Sequence, residues 1–298
     1  MENKRFLKKF TSQSDYDSQK DSVMGIPHVV LLEDTNEMLY ASENNNEEID
    51  YSKEFFTIEA LEEGFFEINA NADNFEDEVP TSFKYRLNGG EWVEILDNIS
   101  LSLIAYDKIQ ISCVSSSVNT FSPLFSSNIS FNAYGNTMSL LYGDDFIDKI
   151  EIFPYCLHGL FQETKITSAE NLILPATVLM AECYFDMFYN CTSLTTSPEL
   201  PATTLDWGCY SEMFYGCISL TTAPELLATT LVGNCYGYMF YGCSNLNYIK
   251  MLATSIDKPS LDTWVHNVPS TGTFVKKKGV EIPSGESGIP NGWTVENA

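Results

Sequence analysis

The sequence predicts a mainly β protein with short helices, in which a small β-sandwich domain precedes a stack of sequence repeats. Three observations predict this fold class. A long pattern occurs three times in tandem from Leu174 onwards, short apolar runs bounded by turn residues fill positions 51–135, and an acidic stretch separates these runs from the N-terminus. We place the parts at 1–50 (N-terminal segment and acidic linker), 51–140 (β-sandwich), 141–255 (repeats) and 256–298 (C-terminal β-hairpin cap).

The N-terminal segment contains one predicted pair of strands. The stretch His28–Ser42, HVVLLEDTNEMLYAS, gives an apolar run, a polar turn at Asp34–Glu37 and a second apolar run. Residues 1–25 are polar with a weak helical rhythm. A strongly acidic linker at Glu43–Asp50 leads into the next domain.

The β-sandwich prediction depends on a series of short strands at residues 51–135. FFTIEAL and GFFEINA are two of them, and ISLSLIAYDKIQISC and NISFNAYG continue the series. FKYRLNGGEWVEI holds Asn88-Gly89-Gly90 between alternating apolar runs, which strongly indicates a hairpin. Several short strands at this spacing are typical of a small sandwich of the immunoglobulin-like kind.

Three segments align without gaps and define the repeat. LPATVLMAECYFDMFYNCTSLTTSPE begins at Leu174, LPATTLDWGCYSEMFYGCISLTTAPE at Leu200 and LLATTLVGNCYGYMFYGCSNLNYIKM at Leu226, so the period is 200 − 174 = 26 residues. Periods of about 20–29 residues are typical of leucine-rich repeats. The fixed columns are Leu179/Leu205/Leu231, Cys183/Cys209/Cys235, Met187/Met213/Met239, Phe188/Phe214/Phe240, Cys191/Cys217/Cys243 and Leu194/Leu220/Leu246.

Each repeat is predicted to form a short helix followed by an extended segment. Leu179, Cys183 and Met187 are spaced i, i+4, i+8, which places them on one face of a helix. The Thr-rich stretch Leu194–Leu200 predicts the extended segment. One repeat cannot bury its apolar stripe alone, so the repeats are expected to stack around one continuous core, as a solenoid of about three and a half coils.

A degenerate repeat precedes these three at Tyr155–Leu174, with Cys156, Leu160 and Phe161 in the conserved columns. The pattern LPATTL-x3-CY-x2-MFYGC-x2-L-x3-PEL resembles the BspA-type leucine-rich repeat, common in surface proteins of gut Bacteroidales. The resemblance covers roughly residues 150–298. It implies that Trp264–Lys276 and Gly288–Val295 form the β-hairpin that caps such arrays.

The six repeat cysteines allow two interpretations. One pairs Cys183 with Cys191, and the equivalent cysteines of the next two repeats, as disulfides. The other, which we favour, treats them as small apolar side chains stacked inside the solenoid. A zinc site at Cys156-x-His158 lacks a second pair of ligands with matching spacing.

Fixed columns are expected inside the stack and varying columns at its surface. Tyr189, Tyr215 and Tyr241 are fixed but follow the interior Met-Phe pair. We favour packing between repeats for them. The alternative makes them ligand-contact residues in an outward aromatic ladder, because aromatic faces stack on sugar rings. The varying columns expected at the surface are Phe185/Ser211/Gly237 and Asp186/Glu212/Tyr238.

The charge of the chain excludes several partners. The net charge is −25, which argues against nucleic acid and against an anionic membrane surface. The stretch Glu33–Glu78 holds 16 acidic residues against Lys53 alone. We favour a solvated face there, and the alternative is a docking surface for a basic partner or divalent cations. No apolar run is long enough to insert in a membrane, and no Sec signal peptide is expected.

Catalytic chemistry has no supporting pattern in the sequence. His28, His158 and His266 lie in three different segments, and no nucleophile, metal-protease or nucleotide-binding motif is present. We therefore expect no enzyme, no cofactor and no metal site. Two acidic clusters could hold calcium, but neither matches the EF-hand order, and solvated loops are favoured. They are Asp73/Glu76/Asp77/Glu78 and Asp144/Asp145/Asp148.

The N-terminal pattern KKF…S-x-Y…IPHVVLLEDTNEMLYAS resembles a segment at the start of virion proteins of crAss-like phages of Bacteroidales. This resemblance implies a head or tail fibre, or a capsid decoration, bound to other virion proteins through the N-terminal segment. The repeats would then contact a host-surface glycan or protein, and a homo-oligomer, possibly a trimer, is implied. The alternative is a bacterial cell-surface adhesin with the same repeats.

Overall fold

A computed structural model of the chain describes residues 49–70, 82–114 and 123–298, together with the backbone of three strands at 6–10, 28–32 and 37–41. The chain divides into two compact units, Met1–Ile49 and Asp50–Ala298. The described residues are mainly β, as predicted, and their only α-helix is α1 (Ser139–Tyr142).

The described part of the N-terminal unit is a three-stranded sheet. Strand β2 (His28–Leu32) pairs antiparallel with β3 (Glu37–Ala41), which confirms the predicted pair of strands. Strand β1 (Phe6–Phe10) pairs parallel with β2 and was not predicted, because its short run FLKKF lies in a polar stretch. The turn before Glu37 and almost all of the acidic linker lie outside the described residues.

The second unit begins with eight strands in two sheets. One sheet has the order β10-β5-β8, and the other runs β11-β4-β9-β6-β7, with neighbouring strands antiparallel throughout. The strands are β4 (Thr57–Ala60), β5 (Gly64–Asn69), β6 (Phe83–Leu87), β7 (Val93–Ile95), β8 (Ile99–Leu103), β9 (Lys108–Cys113), β10 (Leu124–Ser127) and β11 (Phe131–Asn136).

Aromatic side chains hold these two sheets face to face. The rings of Phe66 in β5 and Phe131 in β11 lie 5.2 Å apart, and both are fully buried. The alternation of apolar and polar residues along each strand places such rings on the inner faces. The predicted hairpin joins β6 to β7, and Asn88 (φ 52°) and Gly89 (φ 70°) adopt the left-handed backbone that a type I′ turn requires.

The repeats contain turns where a helix was predicted, so the helix prediction is wrong. Five runs of consecutive turns, which we call turn ladders, occupy 154–163, 181–190, 207–216, 233–242 and 258–267. In the second of them the N–H of Cys183 binds the carbonyl of Met180, and that of Met187 binds the carbonyl of Tyr184. Glu182, Asp186 and Asn190 have positive φ values of 52°, 56° and 54°, as the third residue of a type II turn has.

The turn ladder repeats every four residues, which explains why its sequence resembled a helix. Two residues of each four point into the core, such as Met187 and Phe188, and the next two are half-buried. A spacing of i, i+4, i+8 fits both this pattern and an amphipathic helix. One sequence feature could have distinguished the turn ladder from a helix. The third residue with positive φ in each ladder is Asn190, Gly216 or Gly242, and these residue types tolerate positive φ.

Backbone hydrogen bonds join each turn ladder to the next. The N–H groups alternate between bonds within a turn and bonds to the following repeat. Tyr184 N–H binds the carbonyl of Cys209 at 3.1 Å, and Phe188 N–H binds that of Met213 at 2.9 Å. The predicted degenerate repeat takes part, because the N–H of Phe161 binds the carbonyl of Met187 at 2.9 Å. The stacking of successive repeats follows from these bonds.

The β-sheets and the repeats share one core. Strand β11 pairs parallel with β12 (Ile166–Ser168) and β13 (Leu172–Ile173), which belong to the degenerate repeat. The ring of Phe161 lies 5.9 Å from Phe56 and 6.2 Å from Phe131. The boundary expected near residue 140 therefore separates two kinds of sequence within one compact unit, since the sheets cover the first end of the stack.

The C-terminal region is not a β-hairpin, so that prediction is wrong. Strand β15 (Tyr248–Met251) pairs with β17 (Thr273–Lys276), which pairs with β18 (Thr294–Asn297), and both pairings are parallel. A hairpin would make them antiparallel. The turn ladder at 258–267 lies between, so the stack continues past residue 256. A second short pair joins β14 (Thr230–Leu231) to β16 (Ser255–Ile256).

Candidate functional site

The fixed columns of the repeat line the interior, as predicted. Every member of the six columns is at most 8% exposed. The rings of Phe161, Phe188, Phe214 and Phe240 stack with successive centroid distances of 5.2, 5.4 and 5.7 Å. These side chains are committed to packing between repeats, so a binding site has to be sought among the remaining positions.

The second cysteine column forms a ladder of thiol hydrogen bonds. Cys191 Sγ donates to the carbonyl of Phe161 at 2.9 Å, and Cys217 Sγ donates to that of Phe188 at 3.1 Å. Cys243 Sγ likewise donates to the carbonyl of Phe214 at 3.0 Å. All eight cysteines of the chain are buried as thiols rather than disulfides. Burial raises the pKa of the Cys191 and Cys243 thiols to about 12, which keeps them protonated.

The candidate ligand-contact residues Tyr189, Tyr215 and Tyr241 form one continuous stack. The ring centroids of Tyr189 and Tyr215 lie 4.7 Å apart, and those of Tyr215 and Tyr241 lie 4.6 Å apart, with nearly parallel planes. His266 extends the stack, 4.6 Å beyond Tyr241. His266 Nδ1 in turn lies 2.7 Å from Glu286 Oε1.

This stack covers both ring faces of Tyr215 and of Tyr241, and one ring face of Tyr189. All three tyrosines are half-buried. Sugar rings bind to open aromatic faces, so the stacking favours the packing interpretation of these residues. Contact of the tyrosine hydroxyls with a ligand stays a prediction.

An acidic group lies beside the tyrosine stack. Asp186 Oδ1 is buried and has no hydrogen-bond partner among the described residues. Burial, and then repulsion from Glu212 and Glu182, raise the pKa of Asp186 to about 7. Burial and the carboxylates of Glu212 and Asp186 also raise the pKa of Tyr189. The charge of the Asp186 carboxyl therefore changes near neutral pH.

The varying columns were expected at the surface, and this expectation is wrong. The column Phe185/Ser211/Gly237 is buried or half-buried, and the column Asp186/Glu212/Tyr238 is half-buried rather than exposed. Ser211 is only 1% exposed, and its hydroxyl donates to the carbonyl of Gly237 at 3.0 Å. Phe185 is half-buried against His158, with the ring centroids 5.0 Å apart. The two-in, two-out pattern of the turn ladder brings this column closer to the core than a helix would.

Sequence analysis did not single out Trp207, which is 51% exposed. Trp264 and Trp293 are buried, and their indole N–H groups donate to backbone carbonyls at 2.8 and 2.7 Å. No described residue accepts a hydrogen bond from the indole of Trp207. Val178 and Met180 of the preceding repeat are exposed as well. The sequence did contain an indication of its importance, because Trp207 is a bulky residue in a repeat column that otherwise holds Ala181 and Gly233.

The acidic clusters considered for calcium do not form a described site. Asp144 Oδ1 accepts a hydrogen bond from Lys84 Nζ at 2.7 Å, and the cluster at 73–78 lies outside the described residues. Across 49–70, 82–114 and 123–298, no group of three His, Cys, Asp or Glu side chains is placed to hold a metal ion. No helix in the part of the chain that the structure describes could cross a membrane.

Comparison of the chain with protein-family models, with curated proteins and with solved structures finds no match in any of the three.

Proposed function

We propose that this chain is a non-enzymatic attachment protein of a virion, a head or tail fibre or a capsid decoration. One observation carries the proposal. The six fixed columns of Leu, Cys, Met and Phe are used for interior packing, whereas the exposed Trp207 is replaced by Ala181 and Gly233 in the neighbouring repeats. A scaffold with a fixed core and variable outer side chains suits recognition, because binding residues can change without loss of the fold.

The proposal assigns residues 155–298 to a leucine-rich-repeat solenoid of the BspA type. The 26-residue period, the parallel bridges between equivalent residues such as Val178 and Thr204, and the continuous interior support this assignment. The turn ladders stand where many solenoids of this class carry a helix. Residues outside the stack, at 51–140, then form its N-terminal cap.

An immunoglobulin-like sandwich is the proposed class for that cap. The pairings β5–β8, β6–β9 and β6–β7 correspond to the B–E, C–F and C–C′ pairs of such sandwiches. Two strands have neighbours that differ from those in an immunoglobulin sandwich. The first strand, β4, lies beside β9 where the last strand G is expected, and β10 lies beside β5 where strand A is expected.

The N-terminal unit is the proposed link to the particle. It is compact by itself, with a three-stranded sheet, and is distinct from the unit that carries the repeats. That division suits a protein anchored at one end and binding at the other. A homo-oligomer, possibly a trimer, is part of the proposal, with the particle as its location and a host-surface glycan or protein as its target.

Immunogold labelling with antibodies raised against the full chain tests the location. The expected result is gold on purified phage particles from a Bacteroidales culture, with none on uninfected cells of the same strain. Labelling of the uninfected cell envelope would instead support the cell-surface adhesin and reject the virion. Adsorption assays test the role, since the purified chain should compete with phage for binding to host cells.

A further inference from the structure

Trp207 occupies a position where the repeat itself needs no large side chain. The equivalent residues are Ala181 in the preceding repeat and Gly233 in the following one. Both neighbouring repeats form their turn ladders without a ring at this point. The fold of the repeat therefore does not need the indole of Trp207, and half of the surface of this residue is exposed to solvent.

The small neighbours give the indole a defined place. Its Cδ1 lies 3.0 Å from the point that a Cβ atom on Gly233 would occupy, so the ring extends over the backbone of the next repeat. A side chain at Gly233 would displace it. The indole is thus supported along one edge, while no described residue takes its N–H. An amphipathic ring held in this way offers an apolar face together with one hydrogen-bond donor.

Two acidic residues adjoin the backbone of Trp207. Asp206 Oδ1 accepts a hydrogen bond from the backbone N–H of Trp207 at 2.7 Å, which fixes that carboxylate at the start of the turn ladder. In the preceding repeat, the N–H of Glu182 binds the carbonyl of Trp207 at 3.0 Å. Glu182 Cγ lies 3.1 Å from the point that a Cβ on Gly208 would occupy, so its side chain extends towards the same repeat.

We propose that Trp207, with Asp206 and Glu182, forms the binding site for an uncharged saccharide. A pyranose ring has an apolar C–H face that stacks on an indole, and hydroxyl groups around its rim that donate to carboxylates and accept from an N–H. The three groups supply each of these contacts. Thr203 and Thr204, which precede Asp206 in the same repeat, are exposed as well.

The charge of the surroundings selects among saccharides. Two carboxylates in a chain of net charge −25 repel uronic acids and other anionic sugars. This proposal rests on the attachment function proposed above, because it names the ligand class of the variable outer face. It also assigns recognition to a residue outside the tyrosine stack, in which Tyr215 and Tyr241 have both ring faces covered.

The test measures binding of the full chain to immobilised neutral polysaccharides (dextran, mannan and galactan), with polygalacturonate and polylysine as comparison surfaces. The expected result is binding to at least one neutral polysaccharide, little binding to polygalacturonate, and a loss of about tenfold or more in affinity for Trp207→Ala. Alanine stands at the equivalent position of the preceding repeat, so this variant is expected to fold, with unchanged circular dichroism. Leu96→Ala, which truncates an 85% exposed side chain in the β-sheets, is the matched control and should bind as the unmodified chain does.

Three results would overturn the saccharide site. They are no binding to any neutral polysaccharide, equal binding by Trp207→Ala, and Trp207-dependent binding to polylysine alone, which would identify a basic peptide as the partner. Failure of the proposed function is separate. A chain found on the cell envelope that still binds a neutral polysaccharide through Trp207 rejects the virion location only, whereas a chain found on virions without such binding rejects this site only.

Discussion

The Sγ atom of Cys217 lies 3.1 Å from the carbonyl oxygen of Phe188, in the preceding repeat. That carbonyl also accepts the backbone N–H of Cys191 at 3.1 Å. The thiol therefore supplies a second hydrogen bond to a buried oxygen while filling the space of a small apolar residue. This double role gives a physical reason for cysteine at each position of the column.

Replacement of Cys217 should distinguish the hydrogen bond from the packing. We expect Cys217→Ala to lower the free energy of unfolding by about 1–3 kcal/mol, because it removes both the donor and some buried volume. Cys217→Ser keeps a donor and should cost less than the alanine variant. The Cys209 thiol donates to no carbonyl of a described residue, so the order of the same two substitutions should reverse there. Urea denaturation measures all four, and an identical order at both positions would contradict the thiol ladder.

Thiol reactivity should be confined to the unfolded state. All eight cysteines are buried thiols, and desolvation raises the pKa of Cys113 to about 11 and of Cys235 to about 12. Because the thiolate is the reactive form, Ellman's reagent at pH 8 should label none in the native chain. In guanidinium chloride it should label all eight. A count of two after denaturation without reductant would show instead that the six repeat cysteines are paired.

The Asp186 carboxyl should make stability depend on pH near neutrality. Its pKa is raised to about 7 from a usual value of 3.8, chiefly by burial. The folded state then binds the proton more tightly, so this contribution is complete below about pH 4 and is lost as pH rises through about 7. Relative to Asp186→Asn, the unmodified chain should lose melting temperature between pH 5 and pH 8. Asparagine tolerates the positive φ of this position. Glu170→Gln, at an exposed side chain, gives the baseline, and a difference independent of pH would reject the argument.

The tyrosine stack should contribute to stability according to the number of ring contacts. Tyr215 stacks on two tyrosines, whereas Tyr189 stacks on Tyr215 alone among the described aromatic contacts. We expect Tyr215→Ser to cost about 1–3 kcal/mol and Tyr189→Ser about half as much. Tyr215→Phe keeps the ring and should cost little. Retained stability with lost glycan binding in Tyr215→Ser would instead make these residues a ligand site.

Gly216 offers a direct test of the turn ladder against a helix. In a helix, alanine would stabilise the chain by about 1 kcal/mol relative to glycine. In this structure Gly216 has φ 70°, and a Cβ would stand 2.2 Å from Asn190 Oδ1. Gly216→Ala should therefore destabilise the chain by about 1 kcal/mol or more, as chemical denaturation would show. A variant more stable than the unmodified chain would contradict the turn ladder and support a helix at this position.

Periodicity alone was enough for several elements of the fold. The gapless recurrence of Leu179, Met187 and Phe188 predicted an interior column for each, because apolar residues that recur at the same position of stacked repeats bury one another. Local turn chemistry was enough for the hairpin at Asn88 and Gly89, since its geometry depends on residues within the turn itself. The strand pair in the N-terminal unit followed from its alternating apolar runs.

The candidate site was less accessible from sequence. The tyrosine column could be found, but not the fact that its rings cover one another, which depends on the separation between repeats. Trp207 has an ordinary position in the sequence. Its exposure depends on Ala181 and Gly233, which lie 26 residues away in either direction. The ligand class could therefore be inferred only from the structure, which shows what surrounds the indole.

The sequence by itself determined the 26-residue repeat, the identity of the buried columns and the order of the parts along the chain. Tertiary structure decided that turns replace helices, that β11 continues into the repeats, and that β17 and β18 run parallel. The physical reason is common to all three. Each depends on hydrogen bonds between segments distant in sequence, and a spacing of four residues or a short apolar run satisfies more than one local structure until those partners are present.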